Sequence, residues 1–461
     1  MKLLSLPSRA QVKIWAKAVT RLIQLPFLPE ENFLIFLSIV IGALTGVCSV
    51  AFIRILGLCE NLFFVSLASR LDFFGTARVL LLPAVGGLIV GPLIWRYARE
   101  ARGHGVPEVM KAITTGGARI PIRVAVVKIL ASTVTIGSGG TAGREGPMVQ
   151  IGATIGSSLG QLYKLSSYHL RTLVACGAAG GIAATFNAPI AGAIFSLEVL
   201  MGQTSPAFLL VLLSSVTSSI VSRSLLGNYP AFLVPPYELV SSWEVLLYIP
   251  LGLLCAGAAR LFVHSLYRAE EIFEAWKFPS YFKPCVGALA VGVVGTYLPE
   301  VFGNGLPAVE KALHASLSWQ VLCILFFAEI FCNSATLGSG GSGGVFAPAL
   351  YIGAMLGGAF GSGVHYLWPT STAGAGAYAL VGMAAVFGGA AHAPLSAILI
   401  LFEMTNDYQI ILPLMAATVT SVSLSRRLAT DSIYTLKLRR AGLVFDYGGS
   451  TGVEKPKVPT S

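Results

Sequence analysis

Apolar positions along this 461-residue chain fall in long runs separated by short polar breaks. In the first part these are Phe33 to Leu58, Val79 to Tyr97, Val124 to Ile136, Leu173 to Leu200 and Ala207 to Val221. The second part has Val245 to Val263, Cys285 to Tyr297, Val321 to Phe331, Val345 to Leu367, Tyr378 to Phe402 and Ile410 to Leu424. A helix needs roughly 20 residues to cross a bilayer core, so the longer runs predict spanning helices and the shorter ones broken or partly inserted helices. The pattern predicts an all-α polytopic membrane protein.

The runs repeat. Gly103-His104-Gly105-Val106-Pro107 returns as Gly303-Asn304-Gly305-Leu306-Pro307, and the stretch from Gly137 returns from Gly338 with most glycines in register and Ala347 in place of Gly146. A third block pairs Asn187-Ala188-Pro189 with His392-Ala393-Pro394 and, at the same spacing downstream, Glu198 with Glu403. Three blocks in the same order at nearly constant offset mark two homologous halves. The predicted organisation is an N-terminal segment 1–32, a first membrane repeat 33–226, a linker 227–236, a second repeat 237–427, and a C-terminal helix and tail 428–461 carrying Tyr434. The N-terminal segment reads equally as a basic amphipathic helix at the interface or as a mobile tail. The tail beyond Tyr434 is too short for a cytoplasmic nucleotide-binding domain of the CBS type, so no regulation through one is expected.

Composition agrees with burial in lipid. Hydrophobic residues make up 55% and charged residues 11%, with a mean hydropathy of +0.76, too few charges to cover a soluble surface of this size. The net charge of +10 does not indicate nucleic acid. Lys2, Arg9, Lys13, Lys17 and Arg21 precede the first span, and Arg426, Arg427, Lys437, Arg439 and Arg440 follow the last, which by the positive-inside rule places both termini in the cytoplasm. The seven cysteines are scattered without a CxxC, so neither a disulfide framework nor a zinc site is expected. No cleavable signal stands before the first run.

One stretch carries chemistry. Gly137 to Pro147 places Arg144 and Glu145 in a glycine-rich turn just before a helix-like run from Met148 to Leu162. Such a turn leaves backbone N–H groups free at a positive helix start, a site for an anion inside the membrane. Duplicated halves with glycine-proline breaks bring such turns together near the bilayer midplane. The glycines at 152, 156 and 160, with 353, 357 and 361, have the spacing that lets helices approach closely.

These motifs, G-x-G-x-P at 103 to 107, Gly143-Arg144-Glu145-Gly146-Pro147, G-x-F-x-P at 344 to 348 and the late Tyr434, resemble the CLC family of chloride channels and chloride/proton exchangers over residues 33 to 440. The resemblance implies inverted repeats of tilted, broken helices with the anion site at their interface. It implies anion contacts from His104, Gly105, Gly146, Val345, Phe346, Ala347 and Tyr434, with Glu145 as the gate. Ionised, the Glu145 carboxylate occupies an anion position; protonated or displaced, it swings aside. Lys128 and Arg144 would raise the local potential, or Arg144 would serve structure by pairing with backbone carbonyls. The resemblance also implies a homodimer in a bacterial inner membrane, with the interface expected on Leu209 to Val221 and Ile410 to Leu424. Chloride is the transported ion, no cofactor is expected, and the protein is not an enzyme.

Two departures from the family pattern matter. His104 stands where many members have serine; its imidazole can donate to the anion and titrates near neutrality, so flux or selectivity should respond to pH. Val199 stands where proton-coupled members commonly have a second glutamate, which favours passive, channel-like conduction, although water or another side chain could still supply protons to Glu145. Glu198 and Glu403 are expected to bond helix starts. A remote alternative is an intramembrane serine protease using Ser342 and His392; the GxGxxG form at Gly338 lacks the βαβ context of a dinucleotide site.

Overall fold

In the computed structural model the described residues are 29–443, apart from 71–72, 74, 76, 203–206, 228–233 and 235–239. The expected N-terminal segment lies almost wholly outside them, as do most of the linker and the tail after 443. The first half contains α1 (Glu30–Asn61), α2 (Ala77–Tyr97), α3 (Val106–Thr115), α4 (Ile122–Gly137), α5 (Glu145–Leu162), α6 (Ser167–Phe186), α7 (Pro189–Phe195) and α8 (Phe208–Leu226). The second contains α9 (Tyr248–Ala275), α10 (Lys283–Tyr297), α11 (Leu306–Leu313), α12 (Trp319–Gly338), α13 (Phe346–Leu367), α14 (Ala375–Ala391), α15 (Pro394–Thr405) and α16 (Ile411–Leu428), followed by α17 (Thr435–Arg440). Among the described residues six helical stretches are long and apolar enough to cross a membrane, and shorter apolar helices accompany them.

The structure corrects two of the predicted runs. Leu173 to Leu200 and Tyr378 to Phe402 are each two helices. Asn187 and His392 adopt left-handed backbone (φ 59 and 58°), which ends α6 and α14, and Pro189 and Pro394 then start α7 and α15. Proline fits the first turn because its missing N–H has no helical partner there. The helix expected from Met148 begins earlier, at Glu145, and the run ending at Val263 continues as α9 to Ala275.

Cross-bonds between the halves are reciprocal, as a two-fold relation requires. Glu198, in the π turn after α7, accepts from the N–H groups of Leu395 (3.2 Å) and Ser396 (2.8 Å) at the start of α15. Glu403, at the end of α15, accepts from Ile190 (3.1 Å) and Ala191 (2.7 Å) at the start of α7. Each carboxylate thus neutralises the positive end of the other half's helix, as the sequence led us to expect.

Small residues set the packing. A Cβ on Gly152 of α5 would overlap the carbonyl of Gly177 in α6, and one on Gly353 of α13 would overlap that of Gly382 in α14. Serines then join the next layer: Ser214, Ser218 and Ser222 of α8 donate to α6 carbonyls at 2.9, 2.8 and 3.0 Å, and Ser421 and Ser425 of α16 donate to α14 carbonyls, both at 2.7 Å. With lipid as solvent, close backbone contact and such hydrogen bonds replace much of the hydrophobic drive between helices.

Candidate anion site at the repeat interface

Backbone pairing at mid-molecule joins the loops that precede four helix starts. Gly143 and Gly344 exchange two backbone hydrogen bonds (2.9 and 2.6 Å), and Gly103 pairs with Gly341 (2.9 Å) and Gly343 (3.3 Å). The mirror contact runs from Ala142 to the Gly303 carbonyl at 3.1 Å. Loop backbone that would be costly within a membrane is thereby satisfied by its counterpart in the other half. The starts of α5 and α13 are held side by side.

Glycine is required at this junction. A Cβ on Gly146 would lie 2.5 Å from the His104 carbonyl oxygen and 2.8 Å from the Gly344 Cα. Gly105 has φ +79°, and a Cβ there would lie 2.8 Å from the Gly146 carbonyl oxygen. Position 347, the counterpart of Gly146 in the second repeat, carries an alanine buried at 2% exposure.

His104, Glu145, Gly146, Val345, Phe346 and Tyr434 line one narrow cavity, with about 200 Å³ of empty space and no room for a water-sized sphere. All of these were singled out in the sequence. Ala347 stands one residue back, its N–H close to the Glu145 carboxylate, and Gly105 forms the turn into α3. Glu145 is 1% exposed, and its Oε2 has no hydrogen-bond partner in the protein. The carboxylate therefore fills a place between two helix N-termini, where an anion would be favoured.

The sequence did not single out Val106, Val149, Ile182 and Phe195, which complete the wall, nor Tyr267 behind His104. Phe346 packs against Phe387 and Phe186 (ring centroids 3.9 and 4.7 Å), and Phe195 stands edge-on to Tyr434 at 6.4 Å. Nothing in the local pattern marked them, because any apolar or aromatic residue of a buried helix looks the same in sequence.

Lys128 and Arg144 stand outside the cavity lining. Lys128 is fully buried and donates to the carbonyls of Ala101 (3.0 Å) and Gly103 (2.6 Å), which fixes the loop carrying His104. Arg144 reaches the Thr185 carbonyl at 3.5 Å and lies beside Glu60 and Glu145. Val199 is buried at 2% exposure in the π turn after α7. The protease alternative fails on geometry: the Ser342 hydroxyl contacts Ser132 (2.9 Å) and the Ala101 carbonyl (2.8 Å). His392 instead ends α14, its carbonyl accepting from Arg426 at 2.8 Å, so no base activates the serine.

Comparison with known proteins agrees with this architecture. The family described as "Voltage gated chloride channel" matches residues 86–426. A putative ClcB-like chloride channel protein of Ralstonia nicotianae is 38% identical, covering 78% of this chain and 85% of the relative. An H(+)/Cl(-) exchange transporter, ClcA, of Vibrio cholerae is 32% identical over 88% of this chain and 89% of its own. The crystal structure of a slow cyanobacterial Cl-/H+ antiporter superposes with a TM-score of 0.81 at 26% identity, covering 88% of this chain and 97% of that one. The chain is a membrane protein of the voltage-gated chloride channel (CLC) family, with that family's all-helical fold.

Proposed function

We propose that this protein exchanges chloride for protons across a membrane, with Glu145 as the group that both ions displace or occupy in turn. The observation that carries the reading is the Glu145 carboxylate, lodged in the cavity against the Ala347 N–H and the start of its own helix. An ionised carboxylate there competes with an anion for the same dipoles. A protonated one loses that attraction and vacates the site. His104, Gly105, Gly146, Val345, Phe346, Ala347 and Tyr434 are the anion's surroundings in this reading, and the close relatives and structural neighbour named as exchangers favour it over the channel-like reading drawn from Val199. Passive conduction is kept as a second reading, favoured by the apolar side chain of Val199 and by the Ralstonia relative's name. The assembly is read as a homodimer of chains with both termini cytoplasmic, joined over α8 and α16, where Leu209, Ile220, Leu412 and Val419 are exposed.

The deciding measurement is the reversal potential of purified protein in liposomes under matched chloride and a proton gradient. Exchange shifts it with pH, whereas a potential that follows chloride alone overturns the proposal in favour of conduction. Glu145→Gln is the companion. It should abolish proton movement while chloride still passes, because a neutral amide neither carries the proton nor mimics the anion.

A further inference from the structure

Val199 leaves exchange without a proton donor at its position, and one buried titratable ring in the cavity has no assigned role. We propose that His104 carries the proton. Its ring becomes protonated when an anion occupies the cavity and passes that proton to Glu145. The proposal rests on the exchange reading above.

The hydrogen bonds select the ring's tautomer. His104 is 3% exposed, and its Nε2 lies 3.5 Å from the Tyr267 hydroxyl oxygen. That hydroxyl donates its own hydrogen to the Ile433 carbonyl at 2.6 Å, leaving its oxygen as an acceptor. Nε2 therefore bears the hydrogen in the neutral ring, and Nδ1 bears a lone pair. Nδ1 is buried without a partner in the protein. A lone pair does not bind chloride, but an Nδ1–H does, so the ring contributes to anion binding only after taking a proton.

Charges around the ring make the two events depend on each other. Lys128 of α4 and Lys437 of α17 act on it, Glu108 of α3 acts on Lys128, and Glu145 of α5, Tyr267 of α9 and Tyr434 stand around the ring. A proton on His104 adds a third positive charge beside the two lysines, and an anion in the cavity offsets it. Proton and anion thus favour each other's binding, a coupling that linkage makes reciprocal.

Water comes near the loop that carries the ring. A second cavity, with about 460 Å³ open to water, is lined by Arg102, Glu108, Glu270 and Lys437 among others. Lys437 pairs with Glu270 at 3.6 Å, and its Nζ would lie 3.1 Å from a Cβ on Gly103, next to His104 in the chain. In the proposal a hydronium ion entering from that cavity gives its proton to Nδ1, its O–H bond breaking as the N–H bond forms and leaving water. The Nδ1–H bond then breaks as an O–H bond forms on Glu145, and the ring returns to neutral with its Nε2–H still toward Tyr267. Glu145, now uncharged, swings out and leaves the helix ends to the anion whose entry accompanied the proton.

The first test measures proton uptake on chloride binding in weakly buffered detergent solution, using Glu145→Gln protein so that Glu145 contributes nothing. Uptake should occur, should weaken along with chloride affinity as pH rises through the histidine range, and should vanish in Glu145→Gln/His104→Asn, which keeps an amide donor without a titrating ring. No uptake by Glu145→Gln, or undiminished uptake by the double variant, overturns the proposal. The second test is in liposomes: in His104→Asn the proton flux should fall at least about tenfold further than the chloride flux, a threshold set beneath the roughly 10²–10⁴-fold contribution of a positioned proton-transfer group. Adding Val199→Glu should restore part of it, which a merely structural role for His104 does not allow. An unchanged proton-to-chloride ratio in His104→Asn overturns the hand-over. Wild-type protein that moves no protons defeats the exchange reading and the hand-over together, and the uptake measurement then decides the ring's own proton binding.

Discussion

The starts of α5 and α13 occupy matching places in the two repeats and do different things. Both follow a glycine-rich loop, both loops pair through Gly143 and Gly344, and both helices lie against a glycine-bearing partner. The first repeat puts a carboxylate at the helix start, Glu145; the second puts Phe346 there and leaves the Ala347 N–H to face that carboxylate. A duplicated scaffold therefore supplies two positive helix ends at one point. In the proposed function that single asymmetric side chain is what makes the paired helix ends a site that can be closed.

The same contrast recurs one helix earlier. Lys128 and Glu329 stand at equivalent positions, each nine residues before the glycine that ends its helix, α4 or α12. Lys128 has two carbonyl partners, whereas the buried Glu329 leaves Oε2 without one. The loop fixed by Lys128 carries His104 and borders the cavity. Symmetry in the backbone coexists with asymmetry in the charges, and the asymmetry is concentrated where the cavity lies.

Three pairs of substitutions would break or sharpen this comparison. The largest effect is expected from Gly152→Val and Gly353→Val, where the added carbons meet backbone carbonyls that cannot move aside. Each should cost the upper part of the about 1–3 kcal/mol typical of overpacking, or more, seen as a lower midpoint of thermal unfolding in detergent. Similar losses in the two variants support equivalent packing of the halves, and a loss confined to one would refute it.

Next comes the lysine and glutamate pair. Lys128→Met removes two charge-assisted hydrogen bonds and should destabilise by about 1–3 kcal/mol. Glu329→Gln replaces an incompletely paired buried acid with a neutral amide and should be neutral or stabilising by up to about 1 kcal/mol. Equal losses in unfolding midpoint would contradict the difference drawn here. The smallest effects belong to Glu198→Gln and Glu403→Gln, each expected to cost about 0.5–2 kcal/mol of helix capping. Glu198 also accepts from the Ser396 hydroxyl at 2.6 Å, so its loss should cost slightly more than that of Glu403, and differential scanning fluorimetry of both variants checks this.

Much of the site was legible because its chemistry demands unusual residues. A charge beside glycines and proline within an apolar chain is expensive, so the turn containing Arg144 and Glu145 announced itself. The breaks at Asn187-Ala188-Pro189 and His392-Ala393-Pro394 were legible as repeat motifs, although hydropathy alone merged the helices on either side into single runs. Tyr267 and Phe195 were not legible, since a buried aromatic in a spanning helix has the same appearance whether it faces lipid, core or cavity. Lys128 was read only as a source of potential, because its two carbonyl partners lie 27 and 25 residues away in the chain.

By itself the sequence determined that this protein lives in a membrane, that it is a duplication, and that its polar turns lie where helices begin. Hydrophobicity, glycine and proline act locally and leave local marks. Only the tertiary structure decided which turns meet, that Glu145 faces Ala347 of the other repeat, and that His104 shares a cavity with it while leaning on Tyr267. Those relations depend on contacts between residues far apart in the chain, and no local pattern of residues encodes the direction in which a buried side chain points.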